Sequence, residues 1–185
     1  MSTHSHSIPQ GTSITKFAAC TVAGAALITL GAKTQIPFWP VPMTLHTLAV
    51  FWIAVSFGPR LALAAMAAYL AAGAAGAPVF SGSPERGIGL AYMFGPTGGY
   101  LLGYLGAAGL IGWLARGASW PRQAVAMLAG LATVYALGLA WLGNFVPTRE
   151  LLAAGLTPFL AGDLLKIALV CALACGWQRL KGGAQ

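Results

Sequence analysis

Pro158-Phe159-Leu160-Ala161-Gly162-Asp163-Leu164-Leu165-Lys166-Ile167-Ala168-Leu169-Val170-Cys171-Ala172-Leu173-Ala174-Cys175-Gly176-Trp177 is a run of 20 residues interrupted by only two charges. At 1.5 Å per helical residue it is long enough to cross a hydrocarbon core ~30 Å thick. Asp163 and Lys166 inside such a run each carry an insertion penalty of about 2.5–3.5 kcal/mol. Three positions apart on a helix, they project about 60° from one another and face the same cavity or the same neighbouring helix. One reading is that both contact a ligand; the other is that they bridge each other and orient the helix.

The rest of the chain has the same apolar character. Of 185 residues, 58% are hydrophobic and 7% charged, with 25 glycines, a composition that marks an integral membrane protein. The net charge of +7 does not point to nucleic acid, because the ten basic residues are scattered between apolar runs. Cys20, Cys171 and Cys175 all lie within apolar runs, and no His or carboxylate stands beside them to complete a metal site. His4 and His6 belong to a polar stretch read as a flexible tail. The first apolar run lacks a small-residue processing site and is read as a retained anchor.

Taken in order, the apolar runs predict an all-α integral membrane protein of six transmembrane helices, over residues 14–31, 44–57, 61–76, 97–115, 122–142 and 158–177. Residues 1–13 and 179–185 are expected to be cytoplasmic tails flanking a membrane domain over 14–178. Two long connections follow the first and third spans. Lys33-Thr34-Gln35-Ile36-Pro37-Phe38-Trp39-Pro40-Val41-Pro42 has three prolines that forbid regular helix and demand extended or turn geometry. Ala77-Pro78-Val79-Phe80-Ser81-Gly82-Ser83-Pro84-Glu85-Arg86-Gly87 is rich in turn formers and is expected to include some interfacial structure.

Six spans put both termini on one side. Lys16, Arg60, Arg116, Arg122, Arg179 and Lys181 fall on that side, against Lys33, Arg86 and Arg149 on the other. The excess makes the termini cytoplasmic and the two long loops extracytoplasmic. Lys166 then lies about 12 Å below the outer end of its helix. Helical side chains lean toward the N-terminus, so Asp163 and Lys166 point toward the Pro-rich loops.

Small residues recur every four positions at Ala19 and Ala23, at Ala64, Ala68, Ala72 and Gly76, and at Gly99, Gly103 and Ala107. Such faces let helices approach closely, either within the chain or against a partner. Phe38, Trp39, Phe80, Tyr92 and Tyr100 either frame an apolar ligand or form an interfacial aromatic belt. No phosphate-binding loop occurs, so the chain cannot by itself couple ATP hydrolysis to movement, and no hydrolase or metalloprotease motif occurs either. With three acids in all, the material for catalysis on lipid is thin.

Five blocks in order resemble the successive signatures of the BioY family: Val41-Pro42-Met43-Thr44-Leu45-His46-Thr47-Leu48-Ala49-Val50, Phe57-Gly58-Pro59-Arg60-Leu61, Gly76-Ala77-Pro78-Val79-Phe80, Gly95-Pro96-Thr97-Gly98-Gly99-Tyr100-Leu101-Leu102-Gly103 and Pro158-Phe159-Leu160-Ala161-Gly162-Asp163-Leu164-Leu165-Lys166. This resemblance covers nearly the whole chain. It implies a non-enzymatic, biotin-specific substrate-binding (S) component of an energy-coupling factor transporter in the bacterial cytoplasmic membrane. It also implies a transmembrane coupling (T) protein and two ATPase subunits as partners, or a homo-oligomer where the component is solitary. No cofactor is expected, because ATP is used only by the partner subunits and biotin is the transported ligand.

On that reading the substrate-binding residues are expected to be Asp163, Lys166, Tyr100, Phe80, Thr44, Gln35 and Arg86, with the Pro-rich loop as a lid. The resemblance also implies docking on the coupling protein through Ala19 and Ala23. A self-sufficient facilitative or proton-coupled carrier, with Asp163 as the proton site, is the alternative. The family usually has Gln where His46 stands and often Pro where Ala161 stands, which leaves open the role of His46 and the bend of the last span.

Overall fold

A computed structural model describes residues 11–36, 41 and 43–182. Except for Val41, the expected lid over residues 37–42 lies outside the described residues, as do Phe38 and Trp39. Residues 1–10 and 183–185 of the expected tails also lie outside them. The described chain is mainly helical: α1 (Gly11–Lys33), α2 (His46–Phe57), α3 (Pro59–Ala74), α4 (Gly89–Met93), α5 (Gly98–Leu114), α6 (Trp120–Leu142), α7 (Leu151–Gly155) and α8 (Thr157–Gly182). A 3-10 turn, Thr148–Glu150, precedes α7. Of the Pro-rich segment expected to avoid helix, Lys33 instead ends α1, while Gln35–Ile36 form the short strand β1, paired antiparallel with β2 (Met43–Thr44), with Gln35 opposite Thr44.

Ile14–Lys33, Trp120–Leu142 and Thr148–Ala174 are long and apolar enough to cross a membrane, and α2, α3 and α5 are shorter apolar helices. Their outer faces carry bare hydrophobic side chains, among them Leu165, 71% exposed, and Trp113, 69% exposed, as expected of surfaces that meet lipid. Apolar burial drives little association in lipid, so close packing and internal hydrogen bonds must hold the helices together.

The sequence supplies both. α2 ends and α3 begins on one residue, Gly58, whose φ of 79° suits glycine, and Pro59 follows at the first helical position, where its missing N–H is no loss. α5 and α6 form the most extensive helix pair. A Cβ on Gly103 would stand 2.7 Å from Cα of Val134, and one on Gly99 would stand 2.3 Å from Cβ of Trp141, so only hydrogen at these positions allows the approach. The Gly99, Gly103, Ala107 stripe is thus an internal packing face. The Ala64, Ala68, Ala72, Gly76 stripe is half-buried beside the core-facing Ala65, Met66, Tyr69 and Gly73. Ala19 and Ala23 are exposed on α1.

α2 sits centrally, touching α1, α3, α5 and α8, while α8 closes against α2 and α6. Pro158 lies in the first turn of α8, where proline is tolerated, and the helix then runs continuously through Ala161, Asp163 and Lys166. In the connection after α3, Phe80 plugs into the space beside Gly73; residues 77–87 form a series of turns, and the short helix α4 follows them.

Candidate functional site

Where α2, α5, α6 and α8 converge below the β1–β2 pair, a cavity opens. Its wall contains Val41, Thr44, His46, Thr47, Tyr69, Ser81, Tyr92, Thr97, Tyr100, Leu101, Tyr104, Val134, Tyr135, Phe159, Asp163 and Lys166. The combination of apolar and aromatic surface with a few convergent polar groups is that of a small-molecule site.

α8 contributes the charges. Lys166 Nζ donates to Asp163 Oδ1 at 2.8 Å and to the backbone carbonyl of Thr44 at 2.6 Å. The Tyr135 hydroxyl, from α6, donates to Asp163 Oδ2 at 2.7 Å. Asp163 is 5% exposed. A carboxylate and an ammonium out of water each need such partners, because desolvation otherwise exceeds their mutual attraction. Lys166 has three N–H donors, two of which are used here, and each carboxylate oxygen has a further lone pair. The pair is therefore internally satisfied and still has one donor and spare acceptor capacity for a ligand.

Much of the remaining wall is aromatic. The His46 ring stacks on Tyr104 at a centroid distance of 4.2 Å and meets Tyr69 edge-on at 5.1 Å. Tyr69 packs edge-on against Phe80, which in turn stacks on Tyr92 at 4.8 Å. Thr47 and Tyr104 share a 2.7 Å hydrogen bond between their hydroxyls. The Tyr100 hydroxyl donates to the Gly155 carbonyl at 2.7 Å, tying α5 to α7, and its ring fills the space beside Gly138. Burial raises the Tyr92 pKa above its ordinary value, against smaller opposing effects of Thr97 and Arg86, which keeps the phenol neutral near pH 7.

Comparison with known proteins bears directly on this arrangement. The sequence profile of the BioY family matches residues 2–182. The chain is 37% identical over 158 residues to a protein named "Biotin transporter BioY" from Thermotoga maritima, covering 84% of this chain and 92% of that one. The chain belongs to the BioY family. A "Probable biotin transporter BioY" from Pyrococcus horikoshii is 34% identical over 157 residues, covering 85% and 91% of the two chains. Among solved structures, the S-component for biotin from an ECF-type ABC transporter superposes with a TM-score of 0.80 at 26% identity, covering 93% of this chain and 95% of that one. This BioY-family chain is a multi-pass membrane protein with the S-component fold.

Of the residues expected at the site, Asp163, Lys166, Tyr100 and Thr44 line the cavity of this BioY-family chain. Phe80 does not reach the wall; fully buried, it supports Tyr69 and Tyr92 from behind. Gln35 accepts a short hydrogen bond from the wall residue Ser81, and Lys33 Nζ donates to the Ser83 carbonyl at 2.6 Å, so Gln35 ties β1, and Lys33 the end of α1, to the connection after α3. Arg86 is half-buried in a turn closed by its N–H to the Gly82 carbonyl at 2.8 Å; it is not part of the wall itself but is close enough for its charge to act on the wall residue Tyr92. The sequence reading missed Tyr135, Tyr104, Thr47 and Tyr69. Tyr135 and Tyr104 carried a usable signal, since a phenol in the middle of an apolar span must find a buried partner.

Proposed function

We propose that the chain captures biotin in this cavity for uptake across the cytoplasmic membrane. The observation that carries the reading is the Asp163–Lys166 pair, buried, held by Tyr135 and Thr44, and lining a cavity walled by aromatic side chains. Biotin has a planar ureido group with two N–H donors and one carbonyl, which matches the free lone pairs of Asp163 and the third N–H of Lys166. The aromatic wall of Tyr69, Tyr92, Tyr100 and Tyr104 suits the apolar sulfur-containing ring. Such a site rejects analogues that leave its buried polar groups unpaired far more sharply than analogues lacking a methylene.

The finer topology belongs to the same proposal. The membrane domain over residues 14–178 crosses six times, with α1, α2, α3, α5, α6 and α8 as its spans, both termini cytoplasmic and the loops after α1 and α3 outside. α2, at 12 residues, is about 18 Å long. It is too short to span alone, and its central position, surrounded by other helices, removes the need to match the lipid thickness. Asp163 and Lys166 then open toward the outer surface, on the side of Thr44 and Gln35. Arg86 and Lys33 lie on that side to attract the biotin carboxylate. The chain performs no catalysis, and a coupling protein docked on α1 through Ala19 and Ala23, with two ATPase subunits, supplies the energy.

Purification from biotin-supplemented cells tests the assignment: biotin should co-purify in near-stoichiometric amount, and its consistent absence, with no binding on re-addition, rejects it. Uptake into vesicles holding this chain alone, with and without a proton gradient, then separates the energised component from a self-sufficient carrier. The proposal expects uptake only when the ATPase module is present.

A further inference from the structure

His46 is 5% exposed, lines the cavity, and its Nε2 has no hydrogen-bond partner among the described residues. Everything else about the ring is fixed. Tyr104 covers one face at 4.2 Å and Tyr69 meets it edge-on at 5.1 Å. The His46 backbone N–H donates to Thr44 Oγ1 at 3.2 Å, and the carbonyl of that same Thr44 holds the Lys166 ammonium. His46 and Lys166 are therefore anchored on one residue, at one end of the cavity. A buried ring nitrogen without a partner is unfavourable unless a bound group completes it, and His46 belongs to the wall of the cavity that would hold one.

We propose that His46 is a specificity-determining residue whose Nε2 exchanges a hydrogen bond with the ureido group of the ligand, alongside the Asp163–Lys166 pair. This rests on the biotin reading above. Recognition of the ureido edge is then shared between α2 and α8, and the stacked Tyr104 keeps the imidazole aimed at the ligand. The contribution of His46 should fall on the ureido end alone and be indifferent to the sulfur ring.

The test measures biotin, desthiobiotin and 2-iminobiotin binding to the purified wild type, His46→Leu and His46→Gln. His46→Leu should weaken biotin and desthiobiotin equally, by roughly 10–100-fold, as expected for an unmade buried hydrogen bond. His46→Gln, which keeps a polar group at similar reach, should recover most of that loss, and the penalty should shrink for 2-iminobiotin, whose ureido carbonyl is replaced. Because His46→Leu can fail to fold, the wild type labelled with ¹⁵N-histidine gives a second readout: the His46 Nε2 resonance should shift on saturation with biotin. An unchanged resonance, or His46→Leu binding biotin within twofold of wild type, overturns the role of His46 while leaving biotin capture intact. A wild type that binds no biotin overturns both.

Discussion

Lys166 Nζ lies 2.8 Å from Asp163 Oδ1 and 2.6 Å from the carbonyl of Thr44, a residue 122 positions earlier in the chain. The ion pair is thus a three-way junction that fixes α8 to the start of α2 at the cavity wall, and ligand contact and mutual pairing cease to be alternatives. A pair held from both sides is preorganised, so a ligand need not order it on binding.

Breaking that junction from one side should be worse than removing it whole. Asp163→Asn and Lys166→Met each leave a buried charge without its partner, a cost of about 3–5 kcal/mol, whereas the double variant leaves none. In detergent the double variant should melt above at least one single variant, while all three lose biotin binding. Additive melting shifts would show that the two charges are not coupled in the folded protein.

Tyr135→Phe removes the hydroxyl that donates to Asp163 Oδ2 and leaves the ring in place. A hydrogen bond to a charged group is worth about 1.5–3 kcal/mol. Biotin affinity should fall by roughly tenfold or more with little change in expression, measured by calorimetry on the purified protein. Unchanged affinity and stability would mean that Asp163 does not depend on α6.

The α5–α6 interface should be intolerant at Gly103 and the lipid-side position Gly162 tolerant. A side chain on Gly103 runs into the Val134 backbone, while a Cβ on Gly162 meets nothing within 4 Å. Gly103→Ile is expected to give aggregated protein by size-exclusion chromatography, and Gly162→Ala a wild-type profile.

Ala19→Trp and Ala23→Trp alter an exposed face of α1 remote from the cavity. Both should bind biotin as the wild type does and yet fail in uptake when reconstituted with the coupling protein and ATPase subunits. Wild-type uptake by both would take this face out of the partner interface.

Much of the architecture was legible in the linear order of residues. The apolar runs correspond to α1, α2, α3, α5, α6 and α8 within a few residues at each end, because run length and the Gly and Pro residues that punctuate it are local properties. Gly58-Pro59 shows this well: a left-handed glycine followed by proline ends one helix and starts the next with no help from distant contacts. The charges of Asp163 and Lys166 also marked themselves, since their cost in an apolar span needs no structure to see.

What sequence alone determined, then, was a membrane-embedded helical chain with two charges that must be satisfied inside it. Tertiary structure decided what satisfies them and what surrounds the cavity. Tyr135 and Thr44 reach the pair from other elements, Tyr104 stacks on His46, and Phe80 retreats behind Tyr69 and Tyr92. These partners come together only when separate helices pack, at distances set by glycines such as Gly99 and Gly103. The helical period says which way a side chain points on its own helix, and packing alone says what it meets there.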